Sequence, residues 1–384
     1  MLFNKHYPCL DFLRSIAIIL VMLVHFNERF YPLPANSFLH RLAAWGWNGV
    51  GLFFALSGFL IGGQLIESLQ TRSFSFKKFY IKRFWRIFPP YYFSLLIVAI
   101  LYFTGLADDN VIYPDGSATD IIKTLVYHTL YLQDYLRLPR LQVALYWSLA
   151  VEEQFYILAP LLLYMIWRYC RPYFPLILSG LIVIGISTRF MLYGPDLNWL
   201  LDIRFPFHTR FDSLLFGVLA AYLFIVYNER LKNLSAFTRW ILFLSSFAAI
   251  GAGLIFGGTG NGYFNTCWQF TLTGFGFSLL TLTITISSFD SYIHTYLKKF
   301  FSITARLSYT IYLYHLMLIF PLGHIIIKAH KYLGYNPGRV GFLLSFCLYF
   351  LCVLAASAIV YQFIDRPSMS YRKKILKRME ARMD

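Results

Sequence analysis

The chain has 384 residues, of which 58% are hydrophobic and only 14% charged, with a formal net charge of +16. A soluble domain of this length could not hide that much apolar surface. The basic residues fall in short loops between apolar runs, which reads as a positive-inside pattern and not as a nucleic-acid surface.

The apolar runs predict an all-α polytopic membrane helix bundle of about ten transmembrane helices, at roughly 12–30, 46–66, 89–106, 147–167, 173–193, 210–228, 240–257, 266–287, 307–328 and 341–364. Residues 1–370 then form one integral membrane domain and 371–384 a basic cytoplasmic tail. No small-residue cleavage site follows the first run, and Arg14 interrupts it, so that helix is expected to be retained. Lys77, Lys78, Lys82, Arg83 and Arg86, then Arg168 and Arg171, Arg230, Lys232 and Arg239, Lys298, Lys299 and Arg306, and the tail all fall on one side. The other side has the acidic stretch from Leu106 to Tyr146, with Asp108, Asp109, Asp115 and Asp120. Both termini are therefore expected to be cytoplasmic. The Thr-rich eighth run reads as a span, with a weakly apolar or broken segment as its alternative.

In the first run, Arg14 and His25 are eleven residues apart, about 16 Å of rise and close to three whole turns. They should share one face, with Arg14 near the inner end. A cation inside a span usually faces a cavity or a partner. The alternative is that Arg14 snorkels to headgroups and pairs with Asp11.

Before the third run, Arg83 and Arg86 lie one turn apart, and paired guanidiniums suit a phosphate-bearing ligand. A topology-setting basic loop is the competing reading. Pro89-Pro90 should start a helix or a re-entrant turn after them. The fourth run opens from outside with "WSLAVEEQFY". There Glu152 is the candidate for a buried carboxylate that fixes the tautomer of His25, and Glu153 fits an interfacial role. In the sixth, Arg210 and Asp212 form either a structural pair or a polar wall. In the ninth, His315 lies about 13 Å deeper than Arg306. A satisfied bundle histidine and a site histidine are both compatible with it.

Taken together, these stretches resemble acyltransferase family 3, the integral membrane O-acyltransferases that include O-antigen acetylases. The resemblance rests on Arg14 with His25 as R-x10-H, "GVGLFFALSGFLIG" at Gly49–Gly62, Arg83 and Arg86 before "PPYY", Trp147–Tyr156, "RFDSLLFG" at Arg210–Gly217 and "SYTIYLYH" at Ser308–His315. The motifs run in order over almost the whole chain. Larger members carry a C-terminal SGNH-type domain, and this chain resembles the stand-alone form.

The resemblance implies transfer of an acyl group, acetyl by expectation, from cytoplasmic acyl-CoA to a hydroxyl of a cell-envelope glycan or another acceptor. The implied setting is the bacterial cytoplasmic membrane. His25 would be general base, oriented by Glu152, and Arg14, Arg83 and Arg86 would hold acyl-CoA. Asp11, Trp147, Glu153, Arg210, Asp212, Tyr309 and His315 are candidates for the acceptor side or for supporting the site, with Trp147 and Trp199 as stacking platforms for a sugar. The expected partners are acyl-CoA, a carbohydrate or lipid-linked glycan, and membrane lipid, with no nucleic acid, no metal and no permanently bound cofactor. A transporter or flippase for an anionic or lipid-linked substrate is the alternative. Covalent change in the acceptor separates the two.

Overall fold

The computed structural model describes residues 2–29, 33–34, 37–104, 118–136, 146–258, 260–287, 289, 294–332 and 339–381. Within the acidic stretch from Leu106 to Tyr146, residues 106–117 and 137–145 lie outside them, Asp108, Asp109 and Asp115 included. Among the described residues every regular element is helical. In chain order the α-helices are α1 (Pro8–Arg29), α2 (Phe38–Ala44), α3 (Gly49–Gln70), α4 (Phe76–Phe103), α5 (Ala118–Thr129), α6 (Trp147–Tyr169), α7 (Phe174–Leu192), α8 (Phe211–Val226), α9 (Asn228–Lys232), α10 (Ala236–Ile255), α11 (Tyr263–Cys267), α12 (Gln269–Ile286), α13 (Thr295–Tyr332), α14 (Arg339–Val360) and α15 (Arg366–Glu380).

Eight stretches among the described residues are long and apolar enough to cross a membrane, and the bent α13 makes a ninth. The remaining expected span is α8, which is apolar but has only 16 residues. It is enclosed by its neighbours, with Leu214, Val218 and Ala221 fully buried. The chain is a multi-pass membrane helix bundle.

α3 and α12 form the centre, and α7, α10 and α14 present Leu176, Val183, Trp240, Leu244, Leu343 and Leu351 outward, as lipid-facing helices do. α3 packs most extensively on α8. A Cβ at Gly58 would run into the Leu214 carbonyl, and one at Gly217 into the Ala55 carbonyl. These two glycines let the helix backbones touch.

The Thr-rich α12 is unbroken. Its hydroxyls donate to carbonyls four residues back: Thr281 to Phe277 at 2.7 Å, Thr283 to Leu279 at 2.8 Å and Thr285 to Thr281 at 2.7 Å. That satisfies them inside an apolar bundle. The interruption falls in α13 instead, where Thr295–Ile319 and Pro321–Tyr332 meet at 51°. Pro321 removes an N–H and crowds the preceding turn.

Pro89 and Pro90 do not start α4 but lie within it. The Trp85 carbonyl, four residues before Pro89, accepts the Ser368 hydroxyl from α15 instead of the missing N–H. The basic stretch after 371 continues α15 as far as Glu380. α15 lies on α4, with the Tyr371 and Trp85 rings 4.7 Å apart and Lys78 Nζ 3.3 Å from Glu380.

Candidate active site

α4 is continuous, so Arg83 and Arg86 project one turn apart from a rigid helix. Both line a cavity of about 110 Å³ among α1, α3, α4, α6 and α13. Arg14, Ser57, Ser148, Glu152, Glu153, Tyr156, Tyr309 and Tyr312 line it as well. A second cavity, about 320 Å³, is lined by His6, Asp11, Arg306 and Asp365. Arg14, Arg86 and Tyr309 belong to both linings, so they form the wall between the two.

The guanidiniums differ in what they touch. Arg83 donates to Gln64 Oε1 at 3.3 Å and lies over the Tyr156 ring at 5.5 Å. Arg14 and Arg86 donate to no protein carboxylate or carbonyl among the described residues. Asp11, the alternative partner for Arg14, instead takes His6 Nε2 at 2.8 Å. Arg14 is half-buried and Arg86 exposed; Asp11 and Glu152 act on Arg14, and Asp365 on Arg86, only through space. Two neighbouring arginines on one cavity wall with no salt bridge among the described residues suit a ligand with several negative charges.

The carboxylates lie opposite. Glu152 Oε2 accepts from Ser57 Oγ at 3.0 Å and from Tyr156 OH at 2.6 Å, and those hydroxyls are 2.6 Å apart. His25 is not among its hydrogen-bond partners. Tyr156 is four residues on, so one helical turn brings its hydroxyl to Glu152, and Ser57 reaches the same oxygen from α3. Glu153 is not interfacial: it is buried, and its Oε2 has no hydrogen-bond partner. Tyr309 donates to the Ile87 carbonyl at 3.1 Å, fixing α13 on α4.

His25 lies outside both linings. Its Nδ1 is 3.2 Å from His315 Nε2. His315 Nδ1 faces the Tyr312 carbonyl at 2.8 Å and the Ile311 carbonyl at 3.2 Å. Tyr312 connects the two regions. It lines the 110 Å³ cavity, holds the Ser148 hydroxyl, and its ring centroid is 5.6 Å from that of His315.

The remaining sequence candidates lie elsewhere. Asp212 does not pair with Arg210. Its oxygens accept Arg189 Nη2 at 2.7 Å and Nη1 at 3.0 Å. Arg210 instead stacks on Phe270 at 3.7 Å and donates to the Arg204 carbonyl at 3.1 Å. Trp147 and Trp199 are each only 3% exposed, which rules them out as open platforms. Trp147 packs on Phe205 and Phe54, and Trp199 on Phe270 and Trp47.

Sequence reading missed Ser57, Tyr312 and Arg189. Ser57 had a signal, being the only hydroxyl side chain in "GVGLFFALSGFLIG". Arg189 had one too, as the lone charge in α7.

The model of a family described as "Acyltransferase domain" matches residues 7–362 of this chain. The chain belongs to that acyltransferase family. Family and fold agree with the expectation drawn from the motifs. A putative O-acetyltransferase of Staphylococcus aureus is 26% identical over 397 residues, covering 98% of this chain and 59% of the relative. A peptidoglycan O-acetyltransferase of Listeria monocytogenes is 26% identical over 340 residues, covering 82% of this chain and 50% of the relative. An uncharacterized protein of Haemophilus influenzae is 33% identical over 178 residues, 40% of this chain and 69% of that protein. This chain therefore spans between half and three fifths of the first two relatives. No solved structure matches it significantly.

Proposed function

We propose that the chain is a membrane O-acyltransferase that moves an acyl group, acetyl by preference, from acyl-CoA to a hydroxyl of a cell-envelope glycan. The carrying observation is the wall shared by two cavities, where Arg14 and Arg86 line both and, among the described residues, have no protein carboxylate as hydrogen-bond partner. Acyl-CoA is a phosphate-rich head on a long thin arm that ends in a thioester. Its head fits the larger chamber and the two guanidiniums, and Arg83 adds a third. In this reading the arm passes Arg14 and Arg86 into the smaller cavity, whose lining includes Tyr312, and the ring of Tyr312 lies 5.6 Å from that of His315.

In this reading the helix ends beside the larger chamber face the cytoplasm, both chain termini lie there, and the membrane is a bacterial cytoplasmic membrane. His25 takes the proton of the acceptor hydroxyl as its oxygen attacks the thioester carbonyl. The C–S bond breaks, and the CoA thiolate recovers a proton. A positioned base contributes on the order of 10²–10⁴-fold to such a step. The names of the Staphylococcus and Listeria relatives support acetyl as the group and oxygen as its destination.

The test is mass spectrometry of envelope glycans from cells with and without the gene, complemented by wild type or by His25→Ala. The proposal expects O-acyl esters that vanish with the gene and return only with wild type. Glycan relocated without a change in mass would favour a transporter.

A further inference from the structure

The structure holds two imidazoles in contact, and their geometry fixes where the protons are. His315 is 1% exposed, on a helix tied down by the Tyr349 hydroxyl, which donates to the His315 carbonyl at 2.7 Å. Its Nδ1 meets two carbonyl oxygens, at 2.8 and 3.2 Å. A carbonyl only accepts, so Nδ1 of His315 carries hydrogen. A neutral imidazole has one such hydrogen, and Nε2 of His315 is then an acceptor. The nitrogen facing it at 3.2 Å is Nδ1 of His25, which must donate. The hydrogen of neutral His25 therefore sits on Nδ1, and its Nε2 keeps the basic lone pair.

We propose that His315 is the positioning residue that sets the tautomer of His25, in the place where a carboxylate was expected from the sequence. This rests on the reading of His25 as general base. When Nε2 of His25 takes the acceptor proton, the new imidazolium still donates from Nδ1 to His315. One proton moves from hydroxyl oxygen to Nε2, and the His25–His315 hydrogen bond becomes charge-assisted without breaking. His315 touches neither substrate nor the proton in transit. Glu152, bonded to Ser57 and Tyr156, is left to order the cavity wall. A hydrogen on Nε2 of His25 would leave no base there, so the direction of the His315 hydrogen bond decides competence.

The test has two arms. The first is ¹⁵N spectroscopy of histidine-labelled wild-type protein in lipid nanodiscs, with His25 assigned by difference from His25→Ala. The expected result is a protonated Nδ1 and an unprotonated Nε2 on His25, and the reverse overturns the proposal. The second is kinetics of His315→Leu and His315→Gln. Loss of one hydrogen bond to a group that becomes charged should lower kcat of the leucine variant by about 10- to 100-fold, with the acyl-donor KM unchanged. Glutamine can present an oxygen acceptor near the same point and should recover most of that loss. A fully active His315→Leu alongside an inactive His25→Ala would sink the role of His315 and spare the base. A fully active His25→Ala would sink the base itself. If the leucine variant fails to fold, the spectroscopic arm on wild type still decides.

Discussion

Arg14 and Arg189 are both arginines in apolar helices, and the bundle uses them in opposite ways. Arg189 is wholly buried, and both of its terminal nitrogens are engaged, in a fork–fork pair to Asp212 and in further bonds to the Thr271 hydroxyl and the Thr209 carbonyl, while its Nε has no partner. Arg14 has no protein acceptor as a hydrogen-bond partner among the described residues and lines two cavities with Arg86. A guanidinium inside a membrane bundle needs an anion. One paired with it inside the protein makes the residue part of the architecture, whereas an arginine that lines a cavity without such a pair is open to a ligand. The contrast separates a paired, buried charge from an unpaired charge on a cavity wall without reference to sequence motifs.

The contrast can be broken from either end. Asp212→Ala strands the buried Arg189 cation and should cost about 3–5 kcal/mol of stability, seen as a sharp fall in Tm or loss of folded protein. Asp212→Ala protein as stable as wild type would show that Arg189 is not architectural. Arg14→Gln or Arg86→Gln should leave Tm within a few degrees of wild type but weaken acyl-CoA binding by about 10- to 100-fold, the size of a lost charged hydrogen bond. A fallen Tm with normal binding would exchange the two classes.

Asp134, outside the spans, sharpens the contrast with a buried carboxyl that faces neutral groups. It accepts Gln154 Nε2 at 2.8 Å and the Phe207 N–H at 3.1 Å. Burial raises its pKa from 3.8 to about 7, with those hydrogen bonds opposing. A raised folded pKa means that the native state holds the proton more tightly, so this contribution is full below 3.8 and is lost as pH rises through about 7. Tm should fall across that window in wild type and flatten in Asp134→Asn. The smallest effect belongs to the exposed Lys78–Glu380 pair: Glu380→Gln should change stability by no more than about 1 kcal/mol.

Hydropathy made the spans legible, because an apolar run long enough to cross a bilayer carries its own evidence. It did not place the break. A Thr-rich run looks weak until its hydroxyls find carbonyls in the same helix, as in α12, whereas Pro321 bends α13 within a strongly apolar stretch. Pro89-Pro90 was misread for a related reason, since the hydroxyl that replaces the lost N–H comes from Ser368, far away in sequence.

At the site, residue types and depths were legible but partners were not. Arg14, Arg83, Arg86, Glu152, Glu153 and Tyr309 reach one cavity from four helices. Which carboxylate meets which cation depends on the rotation of each helix about its axis, and spacing along one helix does not carry that. Asp212 therefore turned to Arg189 rather than to Arg210 two residues away, and Glu152 to Ser57 and Tyr156 rather than to His25.

The central claim is that Arg14 and Arg86 face a phosphate-bearing acyl donor. Its most direct test is calorimetric titration of CoA into purified protein in nanodiscs, wild type against the Arg14→Gln/Arg86→Gln double variant, with Tm measured on both. The account predicts saturable binding to wild type, weakened at least about tenfold in a double variant that melts like wild type. Equal affinity in the two proteins would contradict it.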